Sequence, residues 1–473
     1  MICVSSEESG CRACTSRRLR GIAKSAGRNI MEQSLDIKIS PINLIRFALP
    51  TIIAQIFMGI YSVVDGIFVS RVIGTDALSA VNIVMPYVMI VLAFGVMIGT
   101  GGNAIVSAQL GEGKEKEAKE NFTLLCIVCL VGCGIISVLS IVFRKPLLEL
   151  LGANELLMGY CMNYALPLFS VAPLALLGMA LQSFFIANGT PGLGMGFSVA
   201  GGVVNIFLDW LLIAKLGLGT TGAALATGIG YSIPAVLGIA YFFTSKKGNL
   251  HFTATKWNGH VVQKTMTNGS SEMVAMMSSG ITTALMNNVV MRLAGENGVA
   301  AISILIYAMS FLTSAYMGYA MGVAPITSYN YGAGNTDNLK NENKYNFLVI
   351  ALSQVAMYLL GLLIHKEIIS IYASVGTDVY TMAENGYYIF SAAFLLMGYN
   401  MYCSSLFTAL GDGKTSAIIS FFRGLIFLSI FVYSLSAIFG LIGLFAAMPL
   451  AELVGVGLSM YFVLKKGKKY GVI

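Results

Sequence analysis

Apolar stretches long enough to cross a bilayer recur along this chain, in windows at about 42–69, 77–110, 118–142, 156–187, 193–214, 220–244, 266–291, 298–331, 346–364, 384–410, 416–438 and 442–464. A helix rises about 1.5 Å per residue, so about 20 apolar residues cover a hydrocarbon core of about 30 Å. Alternation at the strand period is absent, which argues against a transmembrane barrel. The pattern predicts an all-α integral membrane protein with twelve transmembrane helices. The first window carries two anomalies. Pro50 removes a backbone donor and gives the helix a place to bend. Asp65 lies six residues inside Arg71, about 9 Å below that edge of the span.

The windows fall into two copies of one unit. At a constant offset of 221, Arg71 meets Arg292, Gly74 meets Gly295, Ala80 meets Ala301 and Gly101 meets Gly322. Ser107, Gly111 and Gly113 likewise meet Ser328, Gly332 and Gly334. At offset 222, Ala187, Gly189 and Ser198 meet Ala409, Gly411 and Ser420. Six spans per copy is an even number, so the copies enter the membrane in the same direction, as parallel repeats related by a pseudo-twofold axis along its normal. Two six-helix lobes around a central cleft are expected: residues 31–245 and 265–473, joined by a polar connector at 246–264, with a basic tail at 1–30 expected to be disordered.

Composition supports this picture. The 473 residues are 56% hydrophobic and 11% charged, against about 25% charged in soluble domains. The net charge of +7 would suit nucleic acid, but its distribution does not: with both termini inside, inner loops and tails hold 22 of the 29 Lys and Arg, and Arg423 falls within a span. That asymmetry places both termini in the cytoplasm. The Cys11-x-x-Cys14 pair has no second pair or nearby histidine, so no metal site is read there. Cys126, Cys129 and Cys133 share one helix face and read as packing. His251, His260 and His365, the chain's three histidines, are placed in loops or at helix edges, leaving none for haem or a catalytic metal. No nucleophile or cofactor motif is present, so an enzyme is not expected and the cofactor expectation is none.

Polar residues inside the spans carry the chemistry. Asn205 and Asp209 stand at i, i+4 on one face of the fifth helix. By independent counts Asp65 and Asp209 reach one depth, and Thr227 arrives there from the opposite direction; Tyr61 lies one turn from Asp65. This oxygen-rich set suits a proton or a dehydrated Na⁺. At the second copy's equivalents stand Met286 and Phe431, so packing alone does not require the acids. The second copy has Glu272, Arg423 and Glu452 instead. Depth counts put Arg423 level with Glu272, as an ion pair or a coupling site, and leave Glu452 without a cation.

Together these features resemble the multidrug and toxic compound extrusion (MATE) family of secondary transporters, in its MepA-like bacterial branch. The resemblance spans residues 40–465 and rests on Pro50, Tyr61, Asp65, the Gln182 to Gly189 end of the fourth helix, Asn205-x-x-x-Asp209, Thr227 and the Ser271-Glu272 start of the seventh. It implies export of lipophilic, mostly cationic compounds by antiport with H⁺ or Na⁺, by a monomer in the bacterial cytoplasmic membrane. Asp65, Asn205, Asp209 and Thr227, with Tyr61, would hold the coupling ion, and Pro50 would mark the helix bend. Gln55, Gln182, Glu272, Arg423 and Glu452 are candidates for substrate contact or coupling. Some members carry an acid in the middle of the seventh helix, where this chain has Gly280. The alternative is a flippase for a lipid-linked oligosaccharide, whose cavity should offer several cations to a pyrophosphate head group.

Overall fold

The computed structural model describes residues 35–68, 72–73, 75–245 and 247–473, and the regular elements among them are helical. Helix α1 (Pro41–Phe68) is capped by Ser40, whose hydroxyl accepts from the Asn43 amide at 3.3 Å, and begins with a proline whose missing N–H would have no partner there. It is followed by α2 (Thr75–Gly111), α3 (Glu115–Val142), a short helix at Arg144–Leu150, α4 (Glu155–Ala187), α5 (Pro191–Lys215) and α6 (Gly219–Thr244).

In the second half a helical stretch at Gly259–Gly332 breaks at Gly295 (φ 59°) into α7 (259–294) and α8 (296–332). After α9 (Thr336–Tyr372) and α10 (Asp378–Ala409), a stretch at 413–470 breaks at Gly440 (φ 57°) into α11 (413–439) and α12 (441–470). Positive φ suits glycine at both breaks. The chain doubles back there: Gly298 packs on Val290 and Gly443 on the Leu435 backbone. Ten apolar helical stretches, two of them folded back, give twelve spans among the described residues. The start of α1 and the end of α12 therefore lie on one side, termed the terminal side.

The polar connector is in part helical and in part packed on the first lobe. Helix α7 starts at Gly259, because Asn258 caps it by accepting from the Val261 amide. Upstream, the chain is laid against the first lobe. The Leu250 amide donates to Asn188 Oδ1 at 2.7 Å, the Thr253 amide to Thr123 Oγ1 at 3.1 Å, and Phe252 stacks on Phe122 with ring centroids 5.1 Å apart. Phe122 is also in ring contact with Phe184 and Phe242, so the connector completes a buried aromatic core.

Glycines bring the lobes together on the terminal side. A Cβ on Gly111 of α2 would overlap the Tyr329 carbonyl of α8, and one on Gly332 would overlap the Ala108 carbonyl of α2. These contacts are the same contact seen from the two copies, since 108 and 111 map to 329 and 332 at offset 221. A second pair repeats the relation: Gly101 meets Gly269 of α7, and Gly322 meets Ala48 of α1. Nearby, Gly318 lies against Ile52, so Pro50 sits between two α1 positions clasped by α8. Small residues let backbones touch where lipid offers no hydrophobic drive for association.

Candidate functional site

In the first lobe, α5 and α6 are held at backbone distance. A Cβ on Gly230 would lie 2.7 Å from Asn205 Cβ, and one on Gly201 would lie 2.5 Å from the Gly230 carbonyl. Because α5 and α6 run in opposite directions, the turn from Asn205 up to Asp209 faces the turn from Gly230 back to Thr227. Asn205, Asp209 and Thr227 are all buried. Asn205's amide oxygen and nitrogen and the Thr227 hydroxyl have no hydrogen-bond partner in the described structure. Polar atoms buried in a bundle are normally paired, and unpaired ones mark a place where a ligand can supply the contact.

Asp209 is also where α5 changes winding, opening a π-helical segment at Asp209–Lys215. Such a segment inserts a residue into the turn, redirecting side chains, and is common at functional sites. Helix α1, which bears Tyr61 and Asp65, packs along α5 and against this segment. The side chains of Tyr61 and Asp65 lie outside the described residues. Toward the terminal side, Gln182 shares a small cavity with Met58, Ser198, Gly202 and Tyr231. Gln55 stands elsewhere, on the α1 face toward α8, with its Nε2 at 3.5 Å from Met321 Sδ.

The second lobe corrects the depth counting. Arg423 pairs with Glu452, not Glu272: its Nη1 donates to Glu452 Oε1 at 3.1 Å. Asn400 Nδ2 donates to Glu452 Oε2 at 2.6 Å and to the Glu452 carbonyl at 3.0 Å, while Ser459 holds Asn400 Oδ1 at 2.8 Å. Glu452 is thus a buried, neutralised and hydrogen-bonded carboxylate. Arg423, like Asp209, stands in a π-helical segment, at Phe422–Phe427. Glu272 faces the space between the lobes. His365 also moves: it is buried within α9 and meets the Tyr388 hydroxyl at 3.0 Å. Cys126, Cys129 and Cys133 are buried as a packing face, and Cys3, Cys11 and Cys14 lie outside the described residues.

One buried acid escaped the sequence reading. Glu342, near the start of α9, accepts from Thr327 Oγ1 at 2.6 Å and Asn330 Nδ2 at 3.4 Å. Asn346, Tyr319, Tyr402 and Asn343 continue the network in the lobe's interior. The signal was in the repeat: at offset 221, Asn330 and Glu342 map onto Gln109 and Asn121, themselves bonded at 3.1 Å.

The MatE family model matches residues 50–211 and again 272–433, one match in each lobe. The chain belongs to the MatE family. It is therefore a multi-pass membrane transporter and not an enzyme. Among MATE relatives, Multidrug export protein MepA of Staphylococcus haemolyticus (strain JCSC1435) is 25% identical over 422 residues, 89% of this chain and 92% of that one. The FAD transporter of Shewanella oneidensis is 24% identical over 89% of this chain and 94% of its own length. A solved multidrug resistance MATE family transporter in an outward-facing conformation superposes with a TM-score of 0.86 at 20% identity, covering 90% of this chain and 96% of that one. At that identity the likeness is one of fold. The two-lobed MATE architecture, with parallel six-helix repeats, is that of this chain.

Proposed function

We propose that this MATE protein exports lipophilic organic cations from the cytoplasm in exchange for an inward-moving H⁺ or Na⁺, through a first-lobe ion site made by Asp65, Asn205, Asp209 and Thr227. The observation that carries this reading is the buried group of Asn205 and Thr227 oxygens, unpartnered in the described structure and set around the π-helical start at Asp209. A carboxylate, an amide oxygen and a hydroxyl suit a small hard cation, and a carboxyl beside a second one suits a proton. An ion that binds only one lobe geometry shifts the protein toward it, and a substrate that prefers the other geometry drives it back. The lysine and arginine count supports a cytoplasmic terminal side.

The flippase reading, which calls for several cations in the cavity, is not favoured. Arg423, the intramembrane cation noted in the sequence, is committed to Glu452, which leaves it poorly placed to receive a pyrophosphate. The deciding experiment is ethidium efflux by purified protein in liposomes, with Na⁺ and proton gradients imposed one at a time. Efflux driven by one gradient and abolished by Asp209→Asn is the expected result. Efflux indifferent to both gradients would remove the antiport reading.

A further inference from the structure

The end of α12 is built differently from its counterpart in the first lobe. At offset 221, Gly219 and Gly440 stand at the starts of α6 and α12 with the same φ of 57°. By that register the last residue of α6, Thr244, meets Lys465, yet α12 runs on to Tyr470. The extra turn is fastened on its inner side. Lys466 Nζ donates to Asp412 at 2.8 Å, the Tyr470 hydroxyl donates to the same carboxylate at 3.0 Å, and the Val472 carbonyl accepts from Asn343 Nδ2 at 3.1 Å. Lys465, Lys468 and Lys469 are left on the outer side, exposed, with no carboxylate in ion-pair reach among the described residues. On the same helix face, further into the span, stand Leu464, Tyr461, Val454 and Leu453, all exposed. The Tyr461 hydroxyl accepts from Lys465 Nζ at 2.8 Å, and that ammonium also lies over the tyrosine ring, 5.1 Å from its centre.

An apolar helix face that passes through a tyrosine to a group of lysines follows the order of a bilayer leaflet: acyl chains, the interface where amphipathic rings sit, then head groups. We propose that Lys465, Lys468 and Lys469, with Tyr461, form a binding surface for an anionic phospholipid of the terminal-side leaflet. Lysines just beyond a span are each attracted to anionic lipid, and three on one turn act together. A lipid phosphate, unlike phosphate in solution, brings acyl chains that cover Leu464, Val454 and Leu453, which commits the surface to lipid. Lys466 takes no part, because Asp412 holds it inward. Bound there, the lipid presses the end of α12 toward α9 and α11, to which Asn343 and Asp412 already fasten it. The first lobe has no such surface: its chain leaves α6 at Ser245 and turns back, through Phe252, onto Phe122.

The test reads lipid selectivity at this surface in the full-length protein in liposomes. With the chain's two tryptophans removed by Trp210→Phe and Trp257→Phe, Leu464→Trp places a single reporter on the lipid-facing stripe. Brominated phosphatidylglycerol should quench it at about one tenth of the mole fraction that brominated phosphatidylcholine requires. Adding Lys465→Gln, Lys468→Gln and Lys469→Gln should bring the two lipids within about twofold, whereas Lys465→Arg, Lys468→Arg and Lys469→Arg should keep the preference. Lys116→Gln with Lys119→Gln, on the same side of the first lobe, should leave it unchanged, and inorganic phosphate should not displace the lipid. Equal quenching by both lipids, or a preference that survives the three glutamines, overturns the proposal. So does loss of preference in the Lys116 and Lys119 variant, which would mark general surface charge, or displacement by inorganic phosphate, which would assign the lysines to a soluble anion. If the glutamine variant does not purify, salt decides instead. Raising it should erase the preference for phosphatidylglycerol at Leu464→Trp without altering quenching by phosphatidylcholine, and a preference indifferent to salt overturns the proposal.

Discussion

Arg423 and Glu452 join α11 to α12 inside the membrane, guanidinium to carboxylate at 3.1 Å, with side chains only 15% and 5% exposed. Removing one partner of such a pair strands the other charge at a cost of about 3–5 kcal/mol, whereas replacing both with apolar residues is often near neutral. Glu452→Gln should therefore lower the thermal midpoint in detergent markedly, and Arg423→Met with Glu452→Leu should restore most of it. A double variant as unstable as the single one, followed by size-exclusion thermal assay, would show that these residues do more than neutralise each other.

Asp209→Asn keeps shape and hydrogen bonding but removes the charge that an exchanging ion must neutralise. Gradient-driven efflux should fall to background while the protein purifies normally and still binds ethidium. Asp65→Asn should behave the same way, and Met286→Asp, at the other copy's equivalent of Asp65, should rescue neither. Wild-type rates in reconstituted Asp65→Asn would make that residue a packing group.

Glycine contacts between the lobes predict a graded series. Gly111→Leu and Gly332→Leu should each prevent α2 and α8 from meeting, so that terminal-side positions stay open to thiol reagents and transport stops. Gly132→Leu is the control, because a Cβ there has nothing within 4 Å. Efflux should survive it. Equal loss at all three positions would point to general misfolding rather than a blocked closure.

On the terminal face, Asp412 caps α11 and is bonded by Lys466 at 2.8 Å, Tyr470 at 3.0 Å and Thr415. Burial pushes its carboxyl up, but hydrogen bonds from Lys466, Thr415 and Tyr470 outweigh this and hold it below its ordinary value of 3.8. A carboxyl lowered in the folded state contributes stability that is present above its unfolded pKa and is lost as pH falls through the folded one. The thermal midpoint of wild type should exceed that of Asp412→Asn at pH 7. The gap should close as pH falls below 3.8, and a gap that widened there would refute the assignment.

How much could be read beforehand differs by level. Span number and the duplication were legible because each rests on one-dimensional pattern: apolar length, and residues repeated at fixed offset. Depth follows from counting along a helix, and by that count Asn205 and Asp209 on α5 stand level with Thr227 on α6. What depth cannot give is rotation about the helix axis. Arg423 and Glu272 were counted to the same level, yet the guanidinium turns to Glu452 on a neighbouring helix. Glu342 was overlooked because it stands near a helix start, where acids are usually solvated; in the fold it is buried and bonded by Thr327 and Asn330. The packing of the connector was hidden for a related reason. Its polar residues hid Leu250 and Phe252, which the first lobe buries in part or wholly.

The reciprocal contact of Gly111 with Tyr329 and of Gly332 with Ala108 has the form of an isologous interface, in which one patch meets its own copy across a twofold axis. Such a surface is complete with a single kind of six-helix unit, since it needs only a second example of itself. Within one chain the two units keep that self-complementary face in common, and the rest of each half is not bound by the symmetry. Asp65 and Asp209 stand in one half against Met286 and Phe431 in the other, while the Arg423–Glu452 pair belongs to the second half. Pairing geometry is held in common, and the chemistry has been divided between unequal sisters.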